Sequence, residues 1–242
     1  MRHDRFRFLR KPVRLLCLSD IHGHADALSA VLATAERRGY QRVVVAGDLC
    51  FPGPAPMATW RRLRQIKALC VQGVGDRAIA TVDLDTVRAR DDHQRERLQR
   101  LHDVRDELGD AILTELAKLP RVTRFTLLGG RHAVLVHGCP VDPTEPMTHD
   151  MDDNTIAAML GEEPADLVLC GASHVPFDRV VQRKLEGGEV FTRVVNVGSV
   201  GEAPTNTAEA AGAPRFAHAT FVHSTDGGIG VEQFVVPLGR AA

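Results

Sequence analysis

Short runs of consecutive apolar residues alternate with longer stretches in which apolar side chains recur every three or four positions. Residues 13–19 (VRLLCLS) form an unbroken apolar run, the pattern of a strand covered on both faces. Over 25–38, Ala27, Leu28, Val31, Leu32 and Ala35 fall on one helical face, and Gly39 supplies a C-terminal stop. Residues 42–47 (RVVVAG) give a second strand. A Pro- and Gly-rich loop over 51–56, a helix over 59–67 and a third short strand over 68–72 follow. This strand–loop–helix repetition taken alone predicts parallel βαβ units rather than a sandwich.

Residues 86–119 differ, being dense in Arg, Asp and Glu with apolar side chains at 98, 101, 104, 108, 112 and 116. That spacing predicts one long amphipathic helix, or two with a break near Gly109. Strands resume at 122–128 and 132–137 as a hairpin-like pair across Gly129-Gly130, followed by a helix over 153–160 and a buried strand over 166–170 (DLVLC). The last third reads as strand throughout, over 179–185, 190–196, 216–222 and 229–236. No composition break divides the chain, so the expectation is a basic tail over 1–12 and a single domain over 13–238 with a helical insertion at about 86–119.

Composition narrows the function classes. The 242 residues are 44% hydrophobic and 25% charged, which excludes collagen-like, disordered and disulfide-scaffold chains. Lys plus Arg number 30 against 31 Asp plus Glu, a formal net charge of −1, so no bulk field draws the chain to nucleic acid or to an anionic membrane. No run approaches the 18 or so apolar residues of a membrane helix. The basic N-terminus lacks the apolar core of a secretory signal. The five cysteines contain no C-x-x-C pair and read as reduced, buried thiols, which suits a cytoplasmic setting.

The chemistry-bearing residues cluster at strand ends. Asp20 and His22 follow the first strand in S-D-I-H-G, Asp48 follows the second in A-G-D-L, His137 ends the HAVLV run, and His174 lies four residues past DLVLC. In open α/β sheets, ligands gather beyond the carboxyl ends of the strands, so topology brings these residues together. A mixed Asp/His set suits Mn, Fe, Zn or Ni rather than Ca or a thiolate centre. Arg61, Arg62, Arg64 and Lys67 gather on one helix, where solvated surface is the plainer reading.

D-x-H (Asp20, His22), G-D (Gly47, Asp48), G-x-x-D (Gly73 to Asp76), H-G (His137, Gly138) and G-x-x-H (Gly171 to His174) resemble, in order and spacing, the motifs of the calcineurin-like metallophosphoesterases. Leu119-Pro120 and the late stretch Val195-Asn196-Val197-Gly198-Ser199-Val200-Gly201 point to their small bacterial phosphodiesterase branch. The resemblance implies an α/β (α+β) fold in which a two-sheet β-sandwich is flanked by helices. It also implies hydrolysis of a small phosphomonoester or phosphodiester by an activated hydroxide, with Asp48 and His137 as catalytic residues.

By the same resemblance Asp20, His22, Asp48 and His174 form a first divalent metal site. The second site departs from the family: Val74 stands where an Asn is expected and Ala172 where a His is expected, leaving Asp48 and His137. Gly75 occupies the place of a candidate proton donor. One ion is therefore expected, with two as the alternative, and His137 either orients phosphate or holds the second ion. Asp76, Cys50, Cys139, Ser173 and above all His24 flank the motifs and are the residues that could complete that site. Asp76 has the plainer use of capping a short helix, and the two cysteines of packing. Asn196, Gly198 and Ser199 fit a tight turn bordering the cleft. The vacated positions raise a rival expectation, a non-catalytic binding or scaffold module on the same fold.

Overall fold

The computed structural model describes residues 12–84, 86–204 and 214–240. The tail expected over 1–12 lies, apart from Pro12, outside them. The chain runs β1 (Val13–Leu18), α1 (Ala25–Arg38), β2 (Arg42–Val45), α2 (Pro56–Gln65), β3 (Leu69–Cys70), α3 (Val74–Thr81), α4 (Asp92–Ala117), β4 (Val122–Thr126), β5 (His132–Val136), α5 (Asp153–Leu160), β6 (Leu167–Cys170), β7 (Phe177–Leu185), β8 (Gly188–Asn196), β9 (Pro214–Thr225) and β10 (Gly228–Arg240).

Among the described residues, ten strands form two mixed five-stranded sheets, ordered β10-β9-β1-β2-β3 and β4-β5-β6-β8-β7. In the first, β1, β2 and β3 run parallel; in the second, β5, β6 and β8 do. The parallel reading of the first half therefore holds within a sheet. The βαβ pattern misses the packing of one sheet on the other, because a strand buried on both faces has the same apolar signature whether a helix or another sheet covers it.

Period-two alternation in β1 shows how the layers are built. Leu15 and Cys17 face the inter-sheet core, with Val44, Leu135, Leu169 and Val195. Leu16 and Leu18 face the other way, onto α1, α2 and α4 through Leu28, Leu32, Leu63, Val104 and Leu116. A third cluster packs α5, through Ile156 and Leu160, on the outer face of the second sheet at Val136, Val168 and Val194. The result is helix, sheet, sheet, helix, in agreement with the sandwich flanked by helices.

Two helices differ from expectation. α2 starts at Pro56 rather than at 59, because proline needs no N–H partner in a first turn. α3 was not anticipated apart from a cap at Asp76. That carboxylate sits instead at the third helical position and accepts the Gly73 N–H at 3.0 Å. α4 breaks at Gly109 (φ 72°, ψ 162°), where the pattern placed the break.

Candidate metal centre

β1, β2, β5, β6 and β8 all deliver their carboxyl ends to one edge of the sandwich, and the loops beyond them are laced together. Asp20 N–H donates to the Gly47 carbonyl at 3.0 Å and His22 N–H to Asp48 at 2.9 Å. Across the sheets, Gly201 N–H donates to the Asp20 carbonyl at 2.9 Å. Close approach depends on glycine: a Cβ on Gly73 would stand 2.1 Å from Asp48 Oδ1, and one on Gly171 would stand 1.9 Å from Ser19 Oγ. Asp20, His22, Asp48, Ala172 and His174 all adopt positive φ, between 51° and 64°. Strained backbone concentrated at one edge marks a site that the surrounding structure holds in place.

Asp20, His22, Asp48 and His137 are buried and His174 half-buried. Asp20, His22 and His174 form one group of converging donor atoms; Asp20, Asp48 and His137 form another. His174 Nε2 lies 3.2 Å from Asp20 Oδ1 and 3.2 Å from His22 Nε2. Asp48 Oδ2 is 3.9 Å from His22 Nε2 and 3.6 Å from His137 Nε2, so it faces both groups.

Four of the five donors are aimed from behind. His22 Nδ1 contacts the Phe51 carbonyl at 2.6 Å and His137 Nδ1 the Ala46 carbonyl at 2.7 Å, which turns both Nε2 atoms inward. Asp20 Oδ2 accepts the Ala172 N–H at 3.0 Å and Asp48 Oδ1 the Gly75 N–H at 2.7 Å. Asp20 Oδ1 is buried and, among the described residues, makes no hydrogen bond of regular geometry, with His174 Nε2 at 3.2 Å and His22 Nε2 at 3.6 Å as its neighbours. A buried carboxylate oxygen left without a regular hydrogen bond among imidazole nitrogens is the arrangement a cation completes. The donors are hard oxygen and borderline nitrogen, with no thiolate, and fit a divalent transition ion.

The electrostatics agree. Burial opposes the charge on Asp20, but the His174 and His22 imidazoles outweigh it and hold the carboxyl well below its usual range. At His22 burial works against the imidazolium, while Asp20, Asp48 and Glu202 overcome it and raise the group to about 9. Asp76 is pushed up to about 6, by burial first and by Asp48 second, against the Gly73 and Leu49 N–H groups that it accepts.

Asp20, His22, Asp48, His137 and His174 are thus brought together. The residues that could complete the second site are not: none of His24, Asp76, Cys50 and Cys139 belongs to either donor group. His24 stands at the start of α1, and Asp76 is spent on backbone N–H groups. Val74 is 45% exposed at the start of α3, and Ala172 contributes its N–H. Sequence reasoning did not foresee that Asp20 serves both groups, nor that Glu202 enters the site, its Oε2 3.7 Å from His22 Nε2. Glu202 directly follows Gly201, at the end of the late Val/Gly stretch, and its position there was the available signal. The turn at 196–199 is also a brace. Asn196 donates to the Gly171 carbonyl at 2.6 Å and to Ser173 Oγ at 2.9 Å, and Ser199 Oγ donates to the Asp20 carbonyl at 2.9 Å.

A family model described as the calcineurin-like phosphoesterase superfamily domain matches residues 13–214, and the chain belongs to that family. Among solved structures, it is similar to a hypothetical protein from Pyrococcus horikoshii OT3, at 21% identity and a TM-score of 0.70. It is also similar to a metallophosphoesterase from Sphaerobacter thermophilus, at 19% identity and a TM-score of 0.68. Each alignment covers 93% of this chain and 88% of the other. At that identity they establish the fold. No curated protein matches.

Proposed function

We propose that the chain is a metal-dependent phosphoesterase acting on a small phosphomonoester or phosphodiester. The observation that carries this reading is the buried Asp20 Oδ1, without a regular hydrogen bond among the described residues, beside the Nε2 atoms of His22 and His174. Asp20, His22, Asp48 and His174 would hold a first divalent ion, and Asp20, Asp48 and His137 would be the donors available to a second. When bound, such an ion polarises a phosphoryl oxygen and lowers the pKa of water toward about 7.

The chain's own contribution is placement. Asp48, fixed through Oδ1 by Gly75, presents Oδ2 to both donor groups. His137, its Nδ1 tied to Ala46, presents Nε2 for a phosphate oxygen or a second ion. A net charge of −1 supports a small ester over a long polyanion. Five free cysteines, four of them buried, are in keeping with a cytoplasmic setting.

The test is hydrolysis of bis(4-nitrophenyl) phosphate and 4-nitrophenyl phosphate by chelator-treated protein with Mn2+ added back. Cation-dependent turnover that falls to background in Asp48→Ala is expected; no turnover with any first-row divalent ion overturns the reading. A second reading, a binding module without catalysis, is favoured by Val74 and Ala172, which supply no donor side chain to the second group. It predicts an inert native protein that gains turnover in Val74→Asn/Ala172→His. Native turnover lost in Asp48→Ala eliminates it.

A further inference from the structure

The three histidines of the centre are not supported alike. His22 and His137 each have a main-chain carbonyl on Nδ1, at 2.6 Å and 2.7 Å. Among the described residues no carbonyl meets His174 Nδ1; Glu202 Oε2 stands 4.0 Å from it and 3.7 Å from His22 Nε2. Metal-ligating imidazoles almost always donate their second N–H to a carboxylate, a carbonyl or water, which fixes the ring and its tautomer.

We propose that Glu202 is the positioning residue for His174, its carboxylate accepting the Nδ1–H and holding Nε2 toward Asp20. This rests on the reading of His174 as a cation ligand.

The backbone beneath Glu202 is built for the purpose. Val200 N–H donates to the Ser19 carbonyl at 3.0 Å and Gly201 N–H to Asp20 at 2.9 Å, while Glu202 N–H donates to Ser199 Oγ at 2.8 Å. A Cβ on Gly201 would stand 2.2 Å from the Ile21 carbonyl oxygen, so glycine alone lets this loop lie against the Asp20–His22 segment. The loop is therefore pinned, and the carboxylate it carries, 37% exposed, retains side-chain freedom. Its distance from Nδ1 is roughly 1 Å beyond a normal N–H···O contact, so the proposed bond requires the Glu202 side chain to move by about that much.

His22, the other imidazole within reach, does not compete in the cation-binding form. The Phe51 carbonyl accepts the hydrogen of neutral His22 at Nδ1, which leaves Nε2 with a lone pair and nothing to donate. His174 is the reverse case. With Nε2 directed at the donor group, its hydrogen stands on Nδ1, the nitrogen 4.0 Å from Glu202 Oε2.

The test measures Mn2+ and Zn2+ binding by calorimetry, on the chelator-treated full chain and on Glu202→Ala and Glu202→Gln. Ala should weaken the tightest site about 10- to 100-fold. Gln, whose amide oxygen still accepts from Nδ1–H, should recover most of that loss. The metal-free melting temperature should not move, since the side chain is exposed. In Zn2+-loaded 15N-labelled protein, the His174 Nδ1–H resonance should be protected from exchange, and that protection should be lost in Glu202→Ala. Wild-type affinity in Glu202→Ala overturns the proposal. So does a Gln variant as weak as Ala, which would mean that charge and not the hydrogen bond matters. An unsubstituted chain that binds neither cation overturns the reading of the centre itself, a different result from binding that Glu202→Ala leaves untouched.

Discussion

At the scale of single residues, the centre depends on how closely backbone and side chain can approach. Gly171 shows the limit: a methyl group there would stand 1.9 Å from Ser19 Oγ and 2.4 Å from Asp20 Oδ2. Both are short, buried and hydrogen-bonded, so neither can swing aside. Gly171→Ala should cost about 1–3 kcal/mol as an overpacking substitution. It should also displace Asp20, abolishing Mn2+ binding in calorimetry at concentrations that saturate the native chain. Protons compete for the same atoms. In the metal-free centre His22 is raised to about 9, so below that pH it carries a proton that must leave before Nε2 can bind a cation. Affinity for Mn2+ should therefore climb with pH, roughly tenfold per unit below about 9 where one proton is displaced, and flatten above it. Calorimetry in buffers of different ionisation enthalpy reads the proton released. The donor side chains were legible in the sequence because Asp and His at strand ends form a recognisable pattern. The acceptors behind them were not, since the Phe51 and Ala46 carbonyls belong to every residue type alike. Glu202 escaped for a related reason: its contact depends on the pinned Gly201 loop, which local spacing does not reveal.

At the scale of elements, α4 shows both what patterning reveals and where it stops. Its apolar spacing and Gly109 were readable, and the glycine takes φ 72° and ψ 162°, a conformation open almost only to glycine. A Cβ at Gly109 would meet nothing within 4 Å, so the cost of Gly109→Ala is conformational, not steric crowding by neighbours. The expected loss is about 1–3 kcal/mol, seen as a lower denaturation midpoint with an unchanged m-value. Unaltered stability would mean that the two halves of α4 can join through a regular turn. The helix also reaches the centre indirectly. Arg100 donates to the carbonyls of Pro52 and Gly53, in the loop whose Phe51 carbonyl aims His22. Short elements were harder to read. α3 is eight residues long, and its start is fixed by the carboxylate of Asp76 meeting Gly73 and Leu49, the latter distant in sequence. Local propensity carries little information about a helix that tertiary hydrogen bonds define.

At the scale of the whole molecule, the centre joins two sheets that otherwise meet through apolar packing and a few hydrogen bonds, such as those from Arg193 to the Ile229 carbonyl and from Gln233 to the Asn196 carbonyl. Asp20, His22 and Asp48 lie beyond strands of the first sheet, and His137 and His174 beyond strands of the second. Asp20 belongs to a donor group with each of those two histidines, so both groups span the sandwich. A cation that binds the folded chain and not the unfolded one adds RT ln(1 + [L]/Kd) to stability, about 2.7 kcal/mol at a hundredfold excess over Kd. For a chain of 242 residues each kcal/mol moves the midpoint by about 2–4 °C, so saturating Mn2+ should raise it by roughly 5–11 °C over the chelated protein. Asp48→Ala and His174→Ala remove ligands from opposite sheets, and both should lose this increment. Hydrogen exchange locates the effect. If the cation ties the sheets together, added protection should fall on the segments after β1, β2, β5 and β6 at once, and should disappear from both sheets when either ligand is removed. Protection confined to one sheet would show that the ion is held on that side alone, and the two groups sharing Asp20 would then not act as one centre.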